Sequence, residues 1–508
     1  MNLEKILIVD YGSQYSRLIA RRIRELNVYT EIVSFDSSLD KFKGEKVKGI
    51  ILSGGPNSIY EENSPKINKE IYALNKPILG ICYGMQLTQY MFGGEIKSAN
   101  TSEYGKAIVK INDDKIFEGI PKESIFWMSH GDSVTKYGEG FKEIATSEKC
   151  VAGLKHETKD IYTFQFHPEV THSEYGGKLL ENFTNICKIK KEWKLDDYIE
   201  TTIKNIQETV KNEKVILGLS GGVDSSVAAM LIHKAIGKSL TCIFVDTGLL
   251  RKDEGDKVIE LYSNNFNLNV VRVNKSSLFL EALKGISEPE TKRKIIGKLF
   301  IQVFDEEKEK QNQAKFLAQG TIYPDIIESS TSGVSQTIKS HHNVGGLPEN
   351  MSFEILEPLK WLFKDEVREI GLRLGIPRDM IFRHPFPGPG LGIRVIEEVT
   401  QEKVKILQEA DEIFINELIK NNLYDDISQA FVTLLPCKTV GVMGDCRTYE
   451  YVCAIRCVNT IDFMTATFSK LPYDFLEDIS TKIINEVQGI NRVVYDITNK
   501  APGTIEWE

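Results

Sequence analysis

The chain has 508 residues, of which 41% are hydrophobic and 27% charged, and its formal net charge at pH 7 is −9. This length predicts about three domains. An acidic chain is atypical of nucleic-acid binders, which need a clustered basic face, and no apolar run reaches the ~18 residues of a membrane helix. Eight cysteines are too sparse for a disulfide framework, and the first residues run into a strand pattern without secretion-signal features. We therefore expect a cytoplasmic protein with no nucleic-acid or membrane partner.

From Lys5 to about Phe183, apolar strand-like runs alternate with helical patterns. The candidate strands are KILIVD, VKGIILSGGP, KPILGICYG and YTFQFHPEV, and an amphipathic helix pattern extends from Gln14 to Leu26. This alternation predicts a doubly wound, mainly parallel sheet with helices on both faces. We expect this first α/β domain to span residues 1–195.

A charged helical stretch, Lys188–Lys214, leads to a second unit in which the alternation restarts with KVILGLS, SLTCIFVDTG, LNVVRVNK and KFLAQGTIYPD. These runs predict a second doubly wound, mainly parallel α/β domain over residues 196–384. The proline- and glycine-rich stretch Arg383–Arg394 marks a boundary or a shaped loop, because its composition excludes helix and interior strand. A long helix pattern, Thr400–Asn421, and further strand patterns then predict a small α+β domain over residues 385–508.

The segment LGICYGMQ contains Gly80, Cys82 and Gly84 in the pattern of a nucleophile elbow with cysteine in place of serine. Such a strained turn needs small neighbours, and the helix that follows it favours a thiolate and offers an N–H group to an oxyanion. Alone, the pattern is equally typical of a buried strand end. His167 and Glu169 in FQFHPEV would face the same side of a strand, so that Glu169 could orient the imidazole that takes the thiol proton.

The elbow, the H-P-E strand and the glycine-rich loop SGGPNS together resemble the class I glutamine amidotransferase family. The resemblance implies that Cys82 is the nucleophile, His167 the general base and Glu169 its orienting partner, and that ammonia is released from glutamine by thioester chemistry. It also implies residues that bind glutamine or the oxyanion, namely Gly55, Tyr83, Gln86 and the segment Ser129–Asp132.

A second candidate site is the glycine-rich loop Ser220–Ser226, SGGVDSS, which ends a predicted strand and opens a helix. Its glycines, hydroxyls and helix N-terminus suit a phosphate, but the lysine of the common triphosphate loop is missing and Asp224 is present. Asp224 is most simply a Mg²⁺ partner for a pyrophosphate, although Asp and Ser are also ordinary helix caps. The run resembles the ATP pyrophosphatases, which cleave ATP between its α and β phosphates. The implied ATP-binding residues are Ser220, Gly221, Gly222, Val223, Asp224, Ser225, Ser226, Val245 and Gly320.

A class I glutaminase placed ahead of this loop resembles the GMP synthetase family, and further matching stretches such as RHPFPGPGLGIR and NKAPGTIEWE extend over essentially the whole chain. The resemblance implies that MgATP adenylates XMP at its 2-oxygen, that ammonia displaces AMP, and that the C-terminal domain forms a homodimer. The implied XMP-binding residues are Arg293, Gln429, Asp445, Lys500 and Glu506. The implied adenylation or lid residues are Asp325, Glu328, Lys339 and His341, with the neighbouring His342.

Two other interpretations are open. Another glutamine-dependent adenylating synthetase, such as one that makes NAD, shares the phosphate loop but usually carries a glutaminase without the G-x-C-x-G and H-P-E motifs. A sensor that binds glutamine or a nucleotide without turnover is disfavoured by the intact Cys82, His167 and Glu169. Pyrophosphate release from ATP in the presence of XMP distinguishes these alternatives.

Overall fold

The computed structural model describes residues 3–13, 15–310, 314–326, 353–443, 446–460 and 465–508. The chain divides into two compact units, Met1–Tyr198 and Ile199–Glu508. Within the described ranges, no helix combines the length and the apolar character needed to cross a bilayer. Five residues with predicted roles lie outside the described ranges: Glu328, Lys339, His341, His342 and Asp445.

The first unit is built on a nine-stranded sheet. In chain order its strands are β1 (Lys5–Asp10), β2 (Tyr29–Ser34), β3 (Val47–Leu52), β4 (Ile78–Ile81), β5 (Glu95–Ile111), β6 (Glu123–Lys136), β7 (Phe141–Thr146), β8 (Val151–His156) and β9 (Ile161–Phe164). Across the sheet the order is β2-β1-β3-β4-β9-β8-β7-β5-β6. Pairs from β2 to β9 are parallel, as predicted. Pairs from β9 to β6 form an antiparallel extension that the sequence patterns did not indicate.

Five helices are described in and after this sheet: α1 (Ser16–Glu25), α2 (Leu39–Lys43), α3 (Tyr83–Met91), α4 (Gly176–Ile186) and α5 (Leu195–Val210). Helix α1 buries one apolar face through Ile19, Ala20 and Ile23, as its amphipathic pattern predicted. Strand β4 is buried at every position, which is typical of a parallel strand covered on both faces. The residue that follows the carboxyl end of β4 is therefore held at the edge of a well-packed core.

The second unit contains a five-stranded parallel sheet. Its strands are β10 (Lys214–Gly218), β11 (Leu240–Asp246), β12 (Asn269–Asn274), β13 (Ala314–Ala318) and β14 (Glu354–Leu356), in the order β12-β11-β10-β13-β14. The described helices of this part are α6 (Val223–Ile236), α7 (Glu254–Ile259), α8 (Ser276–Ala282), α9 (Pro289–Lys310), α10 (Lys364–Arg373) and α11 (Arg378–Ile381). The chain moves outward from β10 to β12 and returns on the other side of β10. In such α/β sheets, ligands bind in the crevice at this reversal, outside the carboxyl ends of the strands.

The last part of the second unit is an α+β arrangement, as predicted. It consists of the helices α12 (Gln401–Lys420) and α13 (Tyr473–Glu486) and the strands β15 (Gln429–Met443), β16 (Cys446–Asn459), β17 (Thr467–Phe468) and β18 (Ile490–Asp496). Strand β16 pairs antiparallel with β15 and β17 and parallel with β18. One hydrophobic cluster extends from Ile243 in β11 to Phe414 in α12. The parallel sheet and the C-terminal elements therefore share a core.

Candidate active sites

Cys82 lies between the end of β4 and the start of α3, with a backbone φ of 52° and ψ of −106°. A positive φ is strained for a residue with a side chain, and such strain is found at functional turns. A Cβ atom on Gly80 would lie 2.7 Å from the carbonyl oxygen of Gly84, and one on Gly84 would overlap the carbonyl oxygen of Leu52. Both glycines of the motif are thus required by contact with the backbone.

His167 and Glu169 were predicted to lie on a strand, and this is wrong. Strand β9 ends at Phe164, and His167 makes only an isolated bridge with Trp127. Pro168 has no N–H group to continue a ladder, so the chain turns there. The turn nevertheless brings the two side chains together, with 2.7 Å between Nδ1 of His167 and Oε1 of Glu169, and both are buried.

The charge on His167 depends on burial, which opposes it, and on two neighbouring groups, which favour it. Burial disfavours the imidazolium, but the Glu169 carboxylate and the hydrogen bond with Cys82 outweigh it, so the pKa of His167 is raised well above its usual value. Because Nδ1 faces Glu169, the second ring nitrogen is left for the thiol. A protonated imidazole beside a cysteine at a helix N-terminus favours the thiolate.

The predicted glutamine-binding segment Ser129–Asp132 borders this pair. The Cys82 thiol lies 3.7 Å from the carbonyl oxygen of Ser129 and 3.7 Å from Nε2 of Gln165. Gln86 is buried and donates to the carbonyl oxygen of Asp132 over 2.9 Å. Gln86 therefore holds the segment in place, and Gln165, which carries no motif, is a contact that sequence analysis missed.

The glycine loop after β3 also reaches the catalytic pair. A Cβ on Gly54 would lie 3.3 Å from Cε1 of His167 and 3.7 Å from Cβ of Cys82, whereas one on Gly55 would lie 3.4 Å from the ring of Tyr83. Gly54 thus borders the nucleophile more closely than the predicted Gly55. Tyr83 is the first residue of α3, so its N–H group is one of those that a helix N-terminus leaves without an intrahelical partner.

The phosphate loop follows β10 and opens α6, which begins at Val223. Gly221 has a φ of 72°, which glycine adopts at no steric cost. The N–H group and hydroxyl of Ser220 lie 3.3 and 3.0 Å from the hydroxyl of Ser225, and Ser226 donates to the carbonyl oxygen of Gly222 over 2.7 Å. A rigid, hydroxyl-lined loop at a helix N-terminus has the geometry of an anion site.

A lysine from a distant segment lies beside this loop. Nζ of Lys364, the first residue of α10, lies 2.7 Å from both carboxylate oxygens of Asp224. The two side chains are 42% and 29% exposed, so they are accessible to a ligand. A lone carboxylate at a phosphate loop also fits Mg²⁺, which takes one or two protein carboxylates together with substrate phosphates. No sequence motif marks Lys364.

Other residues predicted to bind ATP or to act in adenylation have different environments. A Cβ on Gly320 would lie 3.1 Å from the carbonyl carbon of Asp224. The glycine therefore lets the segment that follows β13 approach the phosphate loop closely. Asp325 accepts from the N–H group of Ile322 over 3.0 Å. The side chain of Val245 is buried in the core cluster.

Two predicted XMP-binding residues meet at the C-terminal tail. Nε2 of Gln429 donates to Oε1 of Glu506 over 2.8 Å. Arg394, which is fully buried, donates to both carboxylate oxygens of Glu506, over 2.8 and 3.1 Å. Arg293 donates to the backbone oxygen of Glu508. Arg394 stabilises Glu506 and was not predicted.

The tail is held by further buried cations. Lys292, which is fully buried, lies 2.5 Å from Oε2 of Glu508, and its pKa is lowered by burial despite this pair. Arg456, also fully buried, donates to the carbonyl oxygens of Thr498 and Thr504. The predicted Lys500 exchanges two backbone hydrogen bonds of 2.9 Å with Ala466. These contacts fix the end of the chain in the second unit.

Known proteins match the chain in parts and as a whole. Residues 7–187 match the class-I glutamine amidotransferase family, 195–284 the NAD synthase family, and 416–507 the GMP synthase C-terminal domain. The chain is 60% identical to a glutamine-hydrolyzing GMP synthase of Mesoplasma florum, with 100% of both chains covered. It is 58% identical to that of Fusobacterium nucleatum, with 99% of both covered, and 57% identical to that of Brachyspira hyodysenteriae, with 100% of this chain and 99% of the relative covered. The chain belongs to the glutamine-hydrolysing GMP synthase family.

Membership in the GMP synthase family confirms the resemblance inferred from the motifs. The NAD synthase match covers only the part around the phosphate loop, whereas the GMP synthase relatives match from end to end. An NAD-forming enzyme is therefore disfavoured. The likeness extends across the glutaminase part, the ATP pyrophosphatase part and the C-terminal part of the chain.

The contact between His167 and Glu169 predicts a measurable pKa change. In Glu169→Gln the carboxylate that helps to offset burial is lost, so the His167 pKa should fall and the imidazole should lose its proton at a lower pH. Glutaminase activity should fall about 100-fold, the scale of general acid–base catalysis. Histidine NMR titration and ammonia release from glutamine measure the two effects. Glu174→Gln, at an exposed position, is the control, and an unchanged His167 titration in Glu169→Gln would contradict the assignment.

Proposed function

We propose that this protein makes GMP by glutamine-dependent amination of XMP, with ATP cleaved to AMP and pyrophosphate. The observation that carries the proposal is end-to-end likeness to GMP synthases, at 60% identity, in a chain that also holds the Cys82 and Asp224 sites. The glutaminase motifs match the class-I amidotransferase family. We assign the glutaminase to residues 1–195, the synthetase to 196–384, and XMP binding and dimerisation to 385–508.

In the glutaminase, Cys82 attacks the side-chain carboxamide of glutamine and forms a thioester. His167 transfers a proton to the departing ammonia, and Glu169 keeps the ring oriented. The N–H group of Tyr83, at the start of α3, and those of Gly54 and Gly55 are suited to stabilise the oxyanion. Water then hydrolyses the thioester and returns Cys82 to its starting state.

In the synthetase, the loop Ser220–Ser226 holds the phosphates of ATP while the 2-oxygen of XMP takes the adenylyl group. The released pyrophosphate then lies against the loop and α6. Asp224 would hold Mg²⁺, which neutralises phosphate charge when bound. Lys364 is close enough to exchange its carboxylate partner for a phosphate oxygen. Gly320 lets the chain after β13 pass close to the loop. Val245 is the remaining residue proposed to bind ATP, and Asp325 is proposed to act in adenylation.

XMP binding is assigned to the tail and the residues around it. Glu506 accepts hydrogen bonds from the purine edge, and Gln429 lies beside it. Lys500 binds the phosphate, and Arg293 contacts the nucleotide. Arg394 keeps the Glu506 carboxylate oriented, because the buried guanidinium donates to both of its oxygens. Asp445, Glu328, Lys339 and His341 keep their predicted roles in XMP binding or adenylation.

A homodimer is supported by an apolar surface on the β15–β16 hairpin. Val440 and Tyr449 are paired across the two strands, and Val442 lies two residues along the same face. Val440 is 61% exposed, Tyr449 66% and Val442 75%. A second copy of the chain could cover this face symmetrically. A cytoplasmic location is supported by the eight cysteines, all of them in the described part of the chain and all free thiols.

Replacing Cys82 tests the division between the two sites. Cys82→Ala removes the nucleophile for glutamine, so GMP formation from glutamine should be lost. Supplied ammonium, in equilibrium with ammonia, should still support GMP formation, increasingly as pH rises. GMP is measured with both nitrogen sources, and Cys437→Ala, at an exposed thiol, should retain both activities. Loss of the ammonium reaction in a folded Cys82→Ala protein would assign the thiol to the synthetase step instead.

Replacing Asp224 tests the phosphate loop. Asp224→Ala removes the carboxylate that binds Lys364 and suits Mg²⁺, so ATP- and XMP-dependent pyrophosphate release should fall at least about 100-fold. Asp474→Ala, which removes an exposed acid from the first turn of α13, is the matched control. Pyrophosphate release at the parental rate and Mg²⁺ dependence would show that Asp224 only caps the helix.

Replacing Glu506 tests XMP recognition without removing the tail. Deleting the tail would remove the carboxylates that pair with the buried Lys292 and Arg394, whereas Glu506→Gln keeps an acceptor for Arg394. Loss of a charged hydrogen bond to the purine should raise the KM for XMP about 10- to 100-fold, with little change in the KM for glutamine. Steady-state kinetics and thermal melting separate the effects. An unchanged KM for XMP together with a lower melting temperature would leave Glu506 with only a structural role.

A further inference from the structure

Three buried or half-buried side chains with metal-ligating atoms meet in the antiparallel part of the first unit. Glu103 on β5 pairs directly with His130 on β6, and Cys150 precedes β8. Glu103 and His130 are 7% and 5% exposed. No step of the proposed chemistry uses any of these three side chains.

The distances between the three groups match the edges of a tetrahedral site. Nε2 of His130 lies 3.6 Å from Oε2 of Glu103, Sγ of Cys150 lies 3.5 Å from the same oxygen, and Sγ lies 3.8 Å from Nε2. Zinc binds oxygen and nitrogen at about 2.0 Å and sulfur at about 2.3 Å, so tetrahedral geometry separates adjacent ligand atoms by roughly 3.3 to 3.6 Å. One ion could therefore contact all three atoms after small side-chain movements.

The hydrogen bonds around the cluster leave lone pairs of its ligand atoms directed towards one another. Nδ1 of His130 lies 3.0 Å from the carbonyl oxygen of Asp132, which can only accept, so Nδ1 carries the proton of the neutral ring. Nε2 then presents a lone pair towards Glu103 and Cys150. Oε2 of Glu103 also accepts, from the hydroxyl of Ser147, and the thiol has a single proton to share between Oε2 and Nε2. A hydrogen bond to the second ring nitrogen is the arrangement that orients histidine ligands in metal sites.

We propose that Glu103, His130 and Cys150 form a binding site for a divalent transition metal ion, with Zn²⁺ preferred. Thiolate and imidazole ligands favour zinc over Mg²⁺, which prefers oxygen ligands. Binding converts the Cys150 thiol to a thiolate and releases its proton to solvent. The fourth ligand is water or the hydroxyl of Ser147, which lies 3.2 Å from Oε2 of Glu103.

The metal would cross-link β5, β6 and the residue before β8 next to the glutaminase site. His130 belongs to the segment Ser129–Asp132, in which the Ser129 carbonyl contacts Cys82 and the Asp132 carbonyl contacts Gln86. Holding His130 therefore holds the segment that borders the nucleophile. This consequence rests on the proposed function, and it predicts that metal affects the glutamine-dependent reaction more than the ammonium-dependent one.

Metal binding is tested in the full chain with Co²⁺ as a spectroscopic probe. Cys82→Ala serves as the parent, because it removes the catalytic thiol as a competing ligand. Co²⁺ should produce a thiolate charge-transfer band, and Zn²⁺ should abolish it by displacement. Adding Cys150→Ser should remove the band and weaken Zn²⁺ binding at least about 100-fold, whereas adding Cys437→Ser, at an exposed thiol, should change neither.

A second variant distinguishes loss of the metal site from misfolding. Glu103→Gln keeps the size of the side chain and should also weaken Zn²⁺ binding at least about 10-fold, while circular dichroism reports whether either variant is folded. Zn²⁺ should raise the melting temperature of the parent but not of Cys150→Ser. A parental charge-transfer band and parental Zn²⁺ affinity in folded Cys150→Ser would overturn the metal site. These measurements require no GMP formation, so they are independent of the proposed activity.

Discussion

Both candidate sites depend on one constraint: a helix that starts directly after a parallel strand leaves N–H groups without intrahelical partners. At Cys82 the turn is so tight that the residue adopts a φ of 52°, and the N–H groups at the start of α3 would suit an oxyanion. At Ser220–Ser226 the turn is longer, and the N–H groups at the start of α6 suit a phosphate. The same backbone geometry therefore serves a covalent site and a phosphate site, and the side chains decide between them.

Local sequence patterns predicted what is determined locally. Helix α12 was predicted over 400–421 and extends over Gln401–Lys420. It begins there because the Thr400 hydroxyl accepts a hydrogen bond from the N–H group of Lys403. Strands β1 and β10 were predicted closely for the same reason, since long apolar runs allow few alternatives. His167 was misassigned to a strand because β9 ends at Phe164, three residues before it, although the apolar pattern continues.

Contacts between distant segments could not be predicted in this way. Lys364 reaches Asp224 across 140 residues, and a single lysine at the start of a helix is indistinguishable in sequence from an ordinary surface residue. Arg394 lies in a motif that was noted for its prolines and glycines, yet its pairing with Glu506 depends on the folding of the tail. The antiparallel extension of the first sheet was missed because strand pairing between its segments leaves no local sequence signal.

Burial separates the ion pairs that are permanent from those that can exchange partners. His167 and Glu169 are buried, and breaking such a pair by removing one partner costs about 3–5 kcal/mol, so the pair keeps one arrangement through the reaction. Asp224 and Lys364 are partly exposed, and pairs of that kind contribute only about 0–1 kcal/mol. A ligand can therefore separate them at little cost, which is what a site that must bind ATP and release pyrophosphate needs. Arg394 and Glu506 combine the two situations, because the arginine is fully buried and the carboxylate is 17% exposed. The buried cation therefore fixes the carboxylate, while its outer edge stays accessible to the base that we propose it recognises.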